Sequence, residues 1–143
     1  MTYQFDGFIQ KQLGESTWTI PKERFMQYQR AVGDLRMEYL EEDKPRISVS
    51  FLAVVLREVK LQNVRDIPDL VKDPLKVLHA AQTYKVLGPL PHVNAEIRAK
   101  GEINDVYVKR DKLYIITKID LFDNKNTKFA EAFTRIVVRE GGF

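Results

Sequence analysis

The hydrophobic pattern of the chain changes near residue 76. Before it, apolar residues recur at helical spacing or cluster in one short run; after it, they alternate. Phe25, Tyr28 and Val32 form one helical stripe. Pro21 suits the first helical position, where its missing N–H costs nothing, and Gly33 stands where a left-handed C-terminal residue is wanted. These signals predict a helix over about 22–32. The run Phe51-Leu52-Ala53-Val54-Val55-Leu56 is apolar on every face. Periodicity alone does not separate a helix from a buried strand at this length. Ser48 as N-cap and the charged continuation Arg57, Glu58 and Lys60 favour a helix, which has to be enclosed by other elements.

From Lys76 onward the period is two. Val77 to Leu87 reads as a strand ended by Gly88-Pro89, and Asn94 to Lys109 as a long strand with Gly101 a bulge or bend. Arg110-Asp111-Lys112 is a turn. Leu113, Ile115, Ile119 and Leu121 then share one face, with Thr117 between them. Asp123 to Asn126 is a second turn, and Lys128 to Arg139 the last strand. Three strands joined by short turns make an antiparallel meander that needs one face covered, and the enclosed helix is the available cover. The expected class is α+β: a curved antiparallel sheet wrapped around a buried central helix, which is the hotdog arrangement. No repeat or Gly/Ser linker interrupts the chain, so residues 1–143 are read as one domain.

Composition narrows the chemistry. The 143 residues are 44% hydrophobic and 30% charged, as in a soluble globular domain with a core of its own. With no cysteine, thiolate catalysis, disulfides and Cys-ligated zinc are excluded. No metal site and no cofactor are expected. The net charge of +3 is spread along the chain rather than gathered in a patch, which argues against nucleic acid. The longest apolar run is too short for a bilayer span, and the start Met1-Thr2-Tyr3-Gln4-Phe5-Asp6 lacks the form of a signal peptide, so a cytoplasmic setting is expected.

Several segments, in order and at sensible spacing from about residue 20 to the end, resemble the MaoC-like dehydratases, in particular their N-terminal-type half. That family's first helix ends in Phe-Ala-x-Ala-x-Gly-Asp; the chain has Tyr28-Gln29-Arg30-Ala31-Val32-Gly33-Asp34. The family's Leu-His-x-x-Gln strand, with an aromatic residue and then Pro-Leu, is matched by Leu78-His79-Ala80-Ala81-Gln82-Thr83-Tyr84 and Pro89-Leu90. Ile103-Asn104-Asp105-Val106-Tyr107 and Val137-Val138-Arg139 match two further strands. His92-Val93 stands near where the family usually has Gly-Asp, and the stretch between Asp34 and the apolar run is short.

The resemblance implies relatedness to (R)-specific enoyl-CoA hydratases and 3-hydroxyacyl-thioester dehydratases. Active members use an Asp-x-x-x-x-His pair to move the C2 proton and handle the C3 oxygen. Here that pair would be Asp34 and Tyr39, and tyrosine, with an ordinary pKa of about 10, is a poor base at neutral pH. The resemblance therefore implies a non-catalytic subunit that binds an acyl-CoA or acyl carrier thioester, with Asp34 and Tyr39 as vestigial positions. Tyr39, Ser50, His79 and Gln82 are the candidate thioester contacts, and Lys85, Arg98 and Lys100 the candidates for coenzyme A phosphates. The implied partner is a catalytic MaoC-like hotdog subunit, or a second copy of the chain. Each residue also has an ordinary structural reading: Asp34 as a turn, Tyr39 and His79 as packed side chains, Gln82 as a backbone partner, Ser50 as a helix-start hydroxyl, and the three cations as a solvated face. Two other functions stay open: an active hotdog hydratase or thioesterase using Asp34 or Glu38 with Tyr39 or His79, and a non-enzymatic acyl-CoA-binding protein.

Overall fold

The computed structural model describes residues 4–143; Met1, Thr2 and Tyr3, part of the stretch read for a leader, lie outside the described residues. Five strands form one antiparallel sheet: β1 (Gln12–Thr19), β2 (Val77–Val86), β3 (Glu96–Lys109), β4 (Lys112–Phe122) and β5 (Lys128–Val138), in the order β1-β3-β4-β5-β2. The meander β3-β4-β5 stands where alternation and turn chemistry put it. Arg110 and Asp111 both have positive φ, as a tight hairpin with the right twist requires. In the next turn, Asp123 accepts hydrogen bonds from the backbone N–H groups of Lys125 and Thr127, each at 2.9 Å. Strand β1 lies in the half read as helical. Of its residues only Leu13 is fully buried, so this edge strand carries almost no alternating signal.

Three helices lie on the concave side: α1 (Lys22–Ala31), α2 (Met37–Leu40) and α3 (Leu52–Glu58). Pro21 sits one place before the first helical turn, with extended ψ. The buried face of α1 is Phe25, Met26 and Gln29, whereas Val32 is 53% exposed because the helix has ended before it reaches the core. Helix α3 is the central helix, but Ser48 does not cap it. The Ser48 hydroxyl is buried and donates to Gln29 Oε1 at 2.7 Å, and Phe51 takes the cap position without a side-chain hydrogen bond. Nor is the apolar run enclosed all round. Phe51, Leu52 and Val55 are buried, while Ala53 is exposed and Leu56 half-buried, because these two face an open groove.

The helix covers only part of the sheet. Phe25, Phe51, Leu52 and Val55 pack with Ile97, Ala99, Leu121 and Ala130 in one core cluster. The other end of the sheet is covered by the irregular segment after α3, whose Val64, Ile67, Leu70 and Val71 pack with Ile103, Val106, Leu113 and Ile115. Two short 3-10 turns, Val64–Asp66 and Pro74–Lys76, shape this segment. Gly101 is no bulge: it pairs in register with Gly14 and Ile119, and a Cβ there would stand 2.9 Å from Leu61 Cδ1. The bulge is in the strand opposite: the ladder shifts register between Gln12 and Gly14, facing Glu102 and Gly101, and also between His79 and Ala81, between Ile103 and Asp105, and between Leu121 and Phe122. No helix is long and apolar enough to cross a membrane among the described residues.

Candidate functional site

The loop after α1 begins at Gly33, whose φ of +76° turns the chain back. Asp34 N–H then donates to Gln29 O at 2.9 Å, and the Gln29 amide returns a hydrogen bond to Asp34 O at 3.4 Å. Gln29 has no solvent exposure. It therefore links the Asp34 loop to Ser48 at the approach to α3, through the 2.7 Å hydrogen bond from the Ser48 hydroxyl. Sequence reading did not find this link, because it joins residues 19 apart and neither forms a local motif with the other.

The Asp34 carboxylate is fully engaged. Arg36 Nε and Nη2 donate to its two oxygens at 2.8 and 2.9 Å, a bidentate fork. The same guanidinium donates to the Tyr39 hydroxyl at 3.3 Å, lies 4.7 Å from the Tyr39 ring centre and stands 3.5 Å from Glu38. The Arg36 hydrogen bonds hold the Asp34 carboxyl below its ordinary range, against a smaller opposing effect of desolvation, and Asp34 in turn raises the Arg36 guanidinium. The Tyr39 ring packs edge-on against buried Phe25, with centroids 5.8 Å apart. Asp34, Glu38 and Tyr39 thus all share one cation. Arg36 is only two residues from Asp34, so a local Asp-x-Arg pattern was present in the sequence as a signal for it.

Ser50, His79 and Gln82 meet elsewhere. They line a groove of about 740 Å³ on the inner face of the sheet, between α3 with its following segment and edge strand β2. Ala53, Leu56, Leu61, Ile119 and Ile136 supply apolar walls, and Tyr84, Thr117 and Thr134 polar ones. Neither Asp34 nor Tyr39 lines it, and among the described residues no carboxylate does. Gln82 is held by its strand neighbours: its amide donates to Phe133 O at 3.1 Å and accepts from the Thr134 hydroxyl at 2.7 Å. The Tyr28 hydroxyl donates to Ser50 O at 3.1 Å and so fixes the loop that carries Ser50. Burial, then the neighbouring Tyr28, pushes the Tyr84 hydroxyl up, so it stays protonated near neutral pH. His79 is exposed in the groove and has no side-chain hydrogen bond among the described residues.

Lys85 is separated from Arg98 and Lys100 by β4 and β5. Lys85 stands 3.9 Å from Glu131, while Arg98 and Lys100 stand 3.4 and 3.9 Å from Glu15. On the outer face between them, Lys118 and Lys128 reach Glu131 at 3.0 and 3.1 Å. Hydrogen bonds from Lys118 and then Lys128 hold the Glu131 carboxyl low, and Glu131 raises the Lys118 ammonium.

The arrangement is that of a carboxylate held by an arginine beside a separate, carboxylate-free groove with apolar walls. A family model described as the MFE-2 hydratase 2 N-terminal domain matches residues 18–140. No curated protein sequence matches the chain. Among solved structures, the MaoC-like dehydratase from Rhodospirillum rubrum is 9% identical with a TM-score of 0.70, over 98% of this chain and 98% of that one. The C-terminally truncated HadBC (3R-hydroxyacyl-ACP dehydratase) complex from Mycobacterium tuberculosis is 14% identical with a TM-score of 0.68, over 87% and 94%. The (R)-hydratase from A. caviae is 10% identical with a TM-score of 0.66, over 90% and 94%. At these identities the likeness to solved structures is one of fold, the hotdog.

Proposed function

The chain belongs to the MFE-2 hydratase 2 N-terminal domain family, and from that premise we propose that it is the acyl-thioester-binding, non-catalytic hotdog subunit of a 3-hydroxyacyl-thioester dehydratase or enoyl-CoA hydratase. One observation carries the reading: among the described residues no carboxylate lines the groove, and the one at the helix end is clamped by Arg36. Reversible hydration needs one proton moved at C2 and one at the oxygen joined to C3, and a lone His79 without an orienting acid supplies neither pair nor geometry. The groove instead suits binding, with apolar walls for an acyl chain and hydroxyls for the polar thioester end.

The open side of the groove supports a partner. Strand β2 is a sheet edge of ten residues with Lys85 its only formal charge, and Leu78 and Val86 on it are 49% and 44% exposed. Long, weakly charged edges pair with another chain. The HadBC dehydratase of the same fold is itself a complex. A catalytic hotdog partner adding its edge to β2 would close the groove and bring the missing acid–base pair; a second copy takes that place when the chain is expressed alone.

The test is reconstitution with a hotdog subunit that carries an intact Asp-x-x-x-x-His motif, assayed on crotonyl-CoA. Activity should survive Asp34→Asn in this chain and fall when Ala53→Phe fills the groove. Loss of activity on Asp34→Asn, with the partner intact, would contradict the reading.

A further inference from the structure

A second concavity lies at the end of the sheet, away from the groove. The stretch Pro45–Ile47 runs antiparallel to Pro91–Val93, through Ile47 N–H to Pro91 O and Val93 N–H to Pro45 O, each 2.9 Å. This pairing sets Lys44 and Arg46 beside Asn94, and the β4–β5 turn brings up Asn124 and Lys125. Together they border a cleft of about 530 Å³, within the span of about 300–1,000 Å³ usual for small-molecule sites.

The charges here differ from those on the outer face of the sheet. There Lys85, Arg98, Lys100, Lys118 and Lys128 all stand within 3.9 Å of a carboxylate. Lys44, Arg46 and Lys125 have no carboxylate partner among the described residues. The one acid in the cleft, Asp123, accepts two backbone N–H groups of its own turn. Arg46 is held by one hydrogen bond, Nη1 to Leu90 O at 2.7 Å, which leaves most of its fork free. The side-chain amides of Asn94 and Asn124 have no protein partner among the described residues. Pro89 and Pro91 add apolar surface beside the cations. Three uncommitted cations and two free amides around an apolar wall suit a ligand that joins several phosphates to a flat ring.

We propose that this cleft binds the nucleotide end of a coenzyme A thioester, with Lys44, Arg46 and Lys125 on its phosphates. The proposal rests on the thioester reading above. The two sites are connected: the loop of residues 44–50 borders the cleft with Lys44 and Arg46 and the groove with Ser50. An acyl chain in the groove and a nucleotide in the cleft would flank this one loop.

Titration calorimetry of the chain with crotonyl-CoA, crotonyl-pantetheine and adenosine 3′,5′-bisphosphate tests the proposal. Lys44 and Lys125 are exposed, so Lys44→Ala/Lys125→Ala leaves the core untouched. The expected result is that the double variant binds crotonyl-CoA and the bisphosphate about tenfold more weakly, binds crotonyl-pantetheine as before, and shows a shallower salt dependence for the first two, with Arg46 still in place. Equal crotonyl-CoA affinity in both proteins overturns the cleft and leaves the thioester reading standing. So does binding of crotonyl-pantetheine as tightly as crotonyl-CoA by the unaltered chain. Bisphosphate and crotonyl-CoA bound equally well, both weakened in the double variant, with no binding of crotonyl-pantetheine, supports the nucleotide cleft and overturns the thioester reading. No binding of any probe overturns both.

Discussion

The Asp34 loop and the β2 groove hold the residues that chemistry would need, and they treat them in opposite ways. In the loop the polar side chains share partners: Arg36 serves Asp34, Glu38 and Tyr39, and Gln29 ties the backbone. In the groove, His79 has no hydrogen-bond partner among the described residues, and the walls are open on the β2 side. A carboxylate paired with arginine in this geometry keeps its charge and resists taking up a proton. The exposed His79 side chain has no carboxylate beside it in the groove, among the described residues, to orient its ring. The Asp34 carboxylate and the His79 imidazole therefore stand in separate places, as the proposed binding role requires.

The largest effect on this contrast comes from removing the groove's support. Leu52 is wholly buried under the sheet, and Leu52→Ala should cost about 2–5 kcal/mol in chemical denaturation. A loss below about 0.5 kcal/mol would show α3 to be peripheral.

Next is the link between loop and groove. Ser48→Ala leaves the buried Gln29 carbonyl without its donor and should cost about 1–3 kcal/mol. Hydrogen exchange at Asp34 N–H, which donates to Gln29, should quicken in the same variant while exchange in β4 stays slow.

The smallest effect on stability is the sharpest on chemistry. Arg36→Ala removes an exposed cation, and solvent screening should leave stability at neutral pH almost unchanged. Its signature is in pH dependence. The Asp34 carboxyl is held below its ordinary value of 3.8, so the clamp contributes stability above that value and loses it as pH falls through the lowered one. In Arg36→Ala that acid limb should shrink, and the Asp34 carboxyl resonance should titrate at higher pH than in the unaltered chain.

Much of this frame is legible in the sequence, and the omissions have physical reasons. Strands β3 and β4 announce themselves because alternation marks one buried face, and Gly88-Pro89, Arg110-Asp111 and Asp123–Asn126 delimit β2 and β5, whose burial does not alternate. Helix α1 is legible from Pro21 and Gly33. Strand β1 is not, because an edge strand with Leu13 alone fully buried lacks a period. The cover after α3 is not legible either: Val64, Ile67 and Val71 have helical spacing, but Pro68 interrupts it, and a 3-10 turn at Val64–Asp66 followed by irregular chain buries them instead. At the site, Ser50, His79 and Gln82 do share one groove, whereas Asp34 and Tyr39 belong to another place. Residue type and order indicate which side chains recur together in a family; which wall each one faces is set by long-range contacts such as Gln29 to Ser48.

The most direct test of the account is the rate of crotonyl-CoA hydration by the isolated chain. The account predicts no turnover above background, in the unaltered protein and in Arg36→Ala alike, because freeing Asp34 does not carry it into the groove. Turnover above background that is abolished by Asp34→Asn or His79→Ala would contradict it.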